Sequence, residues 1–416
     1  MIPLTSILLL ILGFASGKVM TKGFLSPFLD GSGGVLLVYL ITFVGFFLSL
    51  RGGQTIAAER RRFWVIVVTT IFLVGMVTWR QSLVRLTNFS LIHDGAIQTE
   101  VAADFLLHGV NPYVADFRPT PFGDAPSPYR PDAVNLAWTH YAYPPAVFLT
   151  AVPSILLRPW LGALTDLRWL YLGLLLVLTA AVAWRATTWE RRSQAVLLLA
   201  VNPFVWLYAV AGFNDILSVT AMVVSAILLE RKKWSWGGIL FGLALATKQT
   251  AWLALPLWVA WIWQSSRMTN TSRREFASAL LAMSGTVAIA FGPFIVWNPA
   301  ALYDDLIRYV SGTIPFSYPI SGSTWLQFLR IFGFVDSAWA SVRTWPIQLL
   351  AFVATTWVGW RWVLRRPTAS SWLAGATITT LAVAMVSRFF NDNYLSAIVA
   401  LGVSAYYLHH DQTGSR

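Results

Sequence analysis

The stretch RRRFWVIVVTTIFLVGMVTWR, residues 60–80, decides the fold. Between Arg62 and Arg80 lie seventeen residues without a charge, flanked on one side by three consecutive arginines. A membrane span needs roughly 20 apolar residues, and interfacial tryptophans such as Trp64 and Trp79 extend a shorter run to the membrane surface. The same grammar repeats outward in both directions. Before it lie Ile2 to Ser16 and Gly34 to Leu50. After it come Trp169 to Trp184, Gln194 to Ala211, Asp215 to Leu229, Trp234 to Thr247, Thr250 to Trp263, Phe276 to Trp297, Trp345 to Leu364, Ser370 to Ser387 and Tyr394 to Leu408.

Composition agrees. Of 416 residues, 56% are hydrophobic and 12% charged, about half the charge of an ordinary soluble domain. A soluble enzyme, a disordered chain and a disulfide scaffold are excluded, and the absence of cysteine removes thiolate catalysis and Cys-based metal sites. The expected class is an all-α polytopic membrane protein. Its net charge of +12 is distributed in short basic clusters between apolar runs, which signals topology rather than nucleic-acid binding.

Those clusters are Arg51 with Arg60 to Arg62, Arg185/Arg191/Arg192, Arg231/Lys232/Lys233, Arg267/Arg273/Arg274 and Arg361/Arg365/Arg366. All lie on one side if the short run Pro144 to Leu157 does not cross and is instead re-entrant or interfacial. The expectation is then 12 spans with both termini inside. Seventeen of the 30 Lys/Arg and five of the 18 acids fall inside, so the whole excess of +12 is cytoplasmic, as the positive-inside rule requires. Basic residues at both ends of Trp234 to Trp263 predict a hairpin with short arms whose turn, at Lys248, lies below the outer surface. An ammonium there needs water, a partner or an anionic ligand.

Four segments follow. Residues 1–62 hold two N-terminal spans and a basic loop; 63–297 form the transmembrane core, with a first outer loop at 80–143. Residues 298–344 form a second outer loop, and 345–416 the last spans and a short tail. The first outer loop carries Asp94, Glu100, Asp104, Asp116, Asp124 and Asp132, with His93, His108 and His140. Within it Gly95 to His108 reads as a helix. Ile97, Val101 and Phe105 fall on one face and Glu100, Asp104 and His108 on another, each at i, i+4, i+8. Asp94 begins that helix, as a cap or as a general base at a cavity mouth. In the second loop Asn298-Pro299 opens a surface helix over Tyr303 to Tyr309 with Asp304, Asp305 and Arg308. The short outer turns are GFND (212–215), Lys248 and RFFNDNY (388–394). No metal-ligating constellation and no cofactor motif is present; Asp304-Asp305 alone is too generic. Asn88 and Asn270 head glycosylation-type tripeptides of the kind that chance supplies.

The segment HDGAIQTEVAADFLLHGVNPYVADF, residues 93–117, resembles the first outer loop of polyprenyl-phosphate-sugar-dependent glycosyltransferases of the GT-C fold, in particular glycosyltransferase family 87 and related bacterial mannosyltransferases. The matching features are Asp94, Leu106-Leu107-His108-Gly109, Asn111-Pro112-Tyr113, Tyr143-Pro144-Pro145, Asn214-Asp215 and Lys248, within Phe63 to Ser387. Two spans, up to Leu50, precede the unit in which the family Asp follows the first span. The resemblance implies a hexosyltransferase, with mannose as the expected sugar, acting on the outer side of a bacterial plasma membrane. Its partners are a polyprenyl-phosphate sugar donor, a glycan or glycolipid acceptor and the membrane lipids. Asp94 would be the base of an inverting displacement. Lys248, Arg388, Arg80 and Arg308 would neutralise the donor phosphate. His93, Glu100, Asp104, Tyr113, Tyr143, Asn214, Asp215 and Asp392 would line the substrate site, without a metal. The alternatives are a transporter or flippase, and a non-catalytic subunit binding a lipid-linked or anionic substrate.

Overall fold

The computed structural model describes residues 3–21, 31–50, 55–85, 92–123, 136–268, 273–314 and 317–410. Asp124, Asp132, Arg51, the Asn88 and Asn270 tripeptides, Asp411 and Arg416 lie outside the described residues. The fold is all-α, a polytopic membrane protein. The helices are α1 (Leu4–Thr21), α2 (Gly31–Leu50), α3 (Ile56–Arg85), α4 (Asp94–Leu107), α5 (Ala146–Leu161), α6 (Leu167–Arg185), α7 (Trp189–Val196), α8 (Pro203–Ala211) and α9 (Asp215–Glu230). They continue with α10 (Trp234–Leu245), α11 (Leu255–Met268), α12 (Arg273–Trp297), α13 (Pro299–Tyr303), α14 (Trp325–Ile331), α15 (Trp345–Arg365), α16 (Ala369–Met385) and α17 (Asp392–His410).

Among the described residues seven helices are long and apolar enough to cross a membrane, or eight if the bent pair Trp189–Val201 and Pro203–Ala211 is one span. The bend of 44° falls at Asn202-Pro203, where proline removes a donor and Asn202 caps α8 through the Phe204 N–H. The run Pro144 to Leu157, read as re-entrant or interfacial, forms α5, and with the 3-10 turn Gly162–Thr165 it makes a 20-residue apolar stretch that belongs to the seven. Arg158, followed by Trp160 and Leu161, carries the helix past the point where the apolar run was read as ending.

The chain divides into two compact units. The first comprises Met1–Ala96, Leu156–Ile216 and Tyr406–Arg416. In it α1 and α2 pack closely, because Gly13 faces Thr42 and Gly17 faces Tyr39: a Cβ at either glycine would stand 2.3 Å from its neighbour. The two N-terminal helices are tied into this unit. Ser16 Oγ donates to the Val201 carbonyl at 3.1 Å and accepts from Trp206 Nε1 at 3.0 Å. Arg168 is fully buried at the start of α6, paired with its own N-cap Asp166 (2.9 and 2.7 Å) and donating to the Gln81 carbonyl at 2.9 Å. A buried guanidinium needs such a paired, fully bonded setting.

The second unit comprises Ile97–Ile155 and Leu217–Ala405. Its closest helix pair is α10 and α12. Gly238 and Gly242, four residues apart, present bare backbone to the Ala279 and Met283 carbonyls, which a Cβ would meet at 2.2 and 2.7 Å. Small residues at this spacing let membrane helices approach. The arms α10 and α11 meet where Phe241 stacks on Trp258 at 4.7 Å. The break is short and stabilised, with Lys248 extended and Trp252 Nε1 donating to the Leu245 carbonyl at 2.8 Å. A two-residue parallel pairing, β1 (Ser321–Gly322) with β2 (Phe389–Phe390), ties the second loop to the turn before α17.

Candidate functional site

In the first unit the polar residues gather where α4 begins. Gly212 caps α8 with φ +101, a conformation natural to glycine, and its Cα packs so tightly that a Cβ would lie 3.0 Å from Ala96 and 3.1 Å from Ile92. This turn seats the segment before α4: the His93 N–H donates to the Ala211 carbonyl at 2.8 Å, and the His93 ring lies 3.7 Å from that of Phe213. The Gly95 N–H donates to His93 Nδ1 at 3.1 Å, so that nitrogen is the acceptor and the ring proton sits on Nε2. Nε2 in turn faces Asp94 Oδ1 at 3.2 Å. Asp94 also accepts the Gly95 N–H at 2.7 Å and stays about one-quarter exposed. The carboxylate therefore stands at a helix N-terminus, oriented by an imidazole and still accessible. Asn214 and Asp215, from the same turn, are buried, with Asp215 opening α9. Arg80 belongs to this unit too; its guanidinium lies alongside Gly33, where a Cβ would stand 3.3 Å from Nη2.

In the second unit the loop 136–146 is sewn to the Lys248 turn. Gln249 Nε2 donates to the Ala142 carbonyl at 2.8 Å, and the Ala146 N–H to the Ala246 carbonyl at 3.0 Å. Tyr143 is thereby held beside Lys248. The buried ammonium lies 5.2 Å from the Tyr143 ring and 5.5 Å from the Tyr394 ring, a cation–π setting. Tyr113 supports the arrangement from below, its hydroxyl donating to the Tyr143 carbonyl at 2.9 Å. Burial raises the phenol pKa of both Tyr113 and Tyr141, so both stay protonated.

The other sequence candidates separate by setting. Glu100 is buried, whereas Asp104 and His108 are exposed and pair with each other at 3.7 Å. The expected polar face Glu100/Asp104/His108 is therefore split. The buried face of α4 includes Ala96, Ile97, Thr99, Glu100, Ala102 and Ala103, because the helix is covered over more than one stripe. Arg308 pairs with Asp304 at 2.8 Å, both roughly 40% exposed, in the i, i+4 geometry of a surface pair. Arg388 is buried and donates to the carbonyls of Tyr318, Ala338 (3.4 Å) and Ala340 (2.8 Å). Its guanidinium thus ties down the second loop, and burial lowers its pKa. Asp392 is exposed at the first turn of α17.

The residue that sequence reasoning set aside is Asp305. It is 2% exposed; Oδ1 meets His140 Nδ1 at 2.6 Å and Oδ2 accepts the Tyr141 N–H at 2.8 Å. Burial pushes its carboxyl up to about 6, with the His140 and Tyr141 hydrogen bonds opposing. The segment Tyr303 to Tyr309, expected as a surface helix, is instead a short α-turn continued by a π-helical turn, with Leu302, Asp305, Leu306 and Tyr309 buried. That stripe was the available signal: Leu302, Leu306 and Tyr309 fall at i, i+4, i+7, and Asp305, at i+3, shares their face. Among the described residues no group of three or more His, Asp or Glu is placed to hold a metal ion.

The fold and these clusters define a multi-pass membrane protein with accessible and buried polar groups on the segments between its helices. The chain belongs to glycosyltransferase family 87, whose family model matches residues 141–387, more than half its length, and it is accordingly a glycosyltransferase. The matched stretch contains Tyr143, Asn214, Asp215, Lys248, Asp305 and Arg308; Asp94 precedes it, and Arg388 and Asp392 follow it. No curated protein and no solved structure matches the chain.

Proposed function

We propose that this protein transfers a hexose, mannose in the first instance, from a polyprenyl-phosphate donor to a glycan or glycolipid acceptor on the extracytoplasmic side of a bacterial plasma membrane. The reading rests on the family and on one observation: Asp94 is accessible, heads α4 and is held by His93 at 3.2 Å. In the displacement, the acceptor oxygen attacks the anomeric carbon while Asp94 takes its proton. The C–O bond to phosphate breaks with inversion, and the phosphate leaves with the electron pair. Since phosphate is a good leaving group, the protein needs chiefly cationic N–H donors for its charge, and Lys248 is the foremost of these. Arg80, Arg308 and Arg388 are assigned the same task in second rank, because the last two already bond protein oxygens. His93, Tyr113, Tyr143, Asn214, Asp215, Glu100, Asp104 and Asp392 complete the proposed substrate contacts.

The proposed topology keeps 12 spans, both termini inside and α5 on the outer side. Arms as short as α10, about 18 Å at 1.5 Å per residue, leave the Lys248 turn beneath the surface of a core roughly 30 Å thick. The test is sugar transfer by purified protein, offered a panel of polyprenyl-phosphate hexoses, comparing wild type with Asp94→Asn. Transfer by wild type alone supports the class and the base. Equal transfer by both would remove Asp94 from the mechanism. Flux across a vesicle membrane, or retention of donor without turnover, would replace the reading with a transporter or a binding subunit.

A further inference from the structure

One closed circuit of side chains runs through the second unit. His140 stacks on Tyr309 (4.6 Å), Tyr309 meets Tyr318 (5.9 Å), Tyr318 meets Phe389 (4.3 Å) and Phe389 meets Tyr394 (5.9 Å). Tyr394 and Tyr143 flank Lys248, and Tyr143 meets Tyr141 (5.5 Å), the chain neighbour of His140. The circuit carries two nitrogen groups capable of positive charge, Lys248 and His140. Lys248 already has a proposed task, and His140 has none.

The imidazole is built into position. Asp305 accepts from the Tyr141 backbone with one oxygen and holds Nδ1 with the other. Gln98 Nε2 donates to the carbonyls of Ala137 (2.7 Å) and His140 (2.8 Å) and so fixes the backbone on which the ring is mounted. The Tyr309 ring lies nearly parallel to it, at 20°. Nδ1 faces the Asp305 carboxylate, and an anion at Nε2 gives a ring carrying a proton on each nitrogen an acceptor at both. His140 keeps about one-fifth of its side chain exposed, and its Nε2 makes no hydrogen bond among the described residues. A buried carboxylate that fixes a partly accessible imidazole prepares a directed N–H donor.

We propose that His140, positioned by Asp305, donates Nε2–H to the phosphate of the lipid carrier, a phosphate-binding residue additional to Lys248. This rests on the polyprenyl-phosphate reading above. The ligand is a phosphate on a long apolar chain, a diester while it carries the sugar and a monoester once the sugar has left: its charge calls for the two nitrogens, and the tyrosine rings offer flat apolar faces to the groups attached to it.

The test uses the full-length protein in detergent, with a polyprenyl monophosphate as probe and the corresponding polyprenol as its uncharged control. Wild type should bind the monophosphate more tightly than the alcohol. His140→Asn keeps an amide to bond Asp305 and deletes the Nε2 donor. It should weaken monophosphate binding about 10- to 100-fold, the weight of one charge-assisted hydrogen bond, and leave alcohol binding unchanged. A structural lesion would weaken both. If melting shows that His140→Asn does not fold, Tyr309→Leu, which removes the ring stacked on His140 and leaves the Asp305–His140 bond, should lower monophosphate affinity by a smaller factor with the same selectivity. Unchanged discrimination in folded His140→Asn would overturn the proposal, as would a fall in kcat with monophosphate binding intact, which would make His140 a proton acceptor for the hydroxyl. Asp94→Asn should bind the monophosphate like wild type. If wild type itself shows no preference for the monophosphate, the carrier reading fails and this inference with it.

Discussion

At residue scale, the two carboxylates that matter sit in opposite environments. Asp94 keeps about one-quarter of its side chain in solvent, whereas Asp305 is sealed off and its carboxyl is raised to about 6 by burial. A carboxyl whose folded pKa lies above its unfolded value binds its proton more tightly when folded. Its contribution to stability is therefore present at low pH and lost as pH rises through the folded value. Compared with Asp305→Asn, wild type should lose about 2 to 3 kcal/mol between pH 4 and pH 7, read as diverging melting temperatures in detergent. The groups around Asp305 are His140 and Tyr141 from the segment before α5, Tyr113 from the loop after α4, and Asp304 from its own segment. Transfer should also fall on the acid side near pH 6 in wild type, as the carboxylate that orients His140 is neutralised. The Asn variant should lack that limb. At Asp166 and Arg168 the same physics favours pairing: the guanidinium is fully buried, and Asp166→Ala strands it. Destabilisation by about 3 to 5 kcal/mol is expected, measured as loss of melting temperature. Arg168→Met, which removes the buried charge itself, should cost less.

At element scale, the apolar runs announced most helices because burial in lipid and in protein reads alike as uninterrupted hydrophobicity. What that pattern hides is which helices touch. Gly238 and Gly242 were legible only as part of an apolar run, yet they set the approach of α10 to α12. Gly242→Leu would push a side chain into the Met283 carbonyl and the Thr286 side chain, whereas Gly173 has open space where its Cβ would be. Overpacking at Gly242 should destabilise by about 1 to 3 kcal/mol, while Gly173→Leu should be near neutral; thermal unfolding of the two variants in parallel checks this. The candidate site divides in the same way. Asp94 and Lys248 were legible because each interrupts an apolar or helical pattern, one at a helix start and one in mid-hairpin. For Asp305 the apolar spacing around it signals burial alone: its partner His140 lies 165 residues away and no local pattern records that contact. Arg388 shows the converse. A cation at a loop edge reads as a ligand for phosphate, but folding has brought three backbone carbonyls to it.

At the scale of the whole molecule, the proposed topology turns on α5, which is long enough to span and which the positive-inside reading of the charge pattern keeps on one side. Every basic cluster after it would change sides if it did. Arg185 to Arg192, Arg231 to Lys233 and the later clusters would then face outward, against the positive-inside preference. Helix length alone does not resolve this, because an interfacial helix is free to be as long as a spanning one. The chain has no cysteine, so it is already a clean background for single-cysteine mapping. Thr55→Cys precedes α3 and Lys232→Cys follows α9, placing one probe on each side of α5 in the chain. In intact cells both should resist a membrane-impermeant maleimide and react only after permeabilisation, while Val114→Cys, exposed in the first outer loop, should react directly. Labelling of Lys232→Cys in intact cells would show that α5 crosses and would overturn the 12-span topology, the Lys248 turn staying with the start of α5 through the Ala146–Ala246 hydrogen bond.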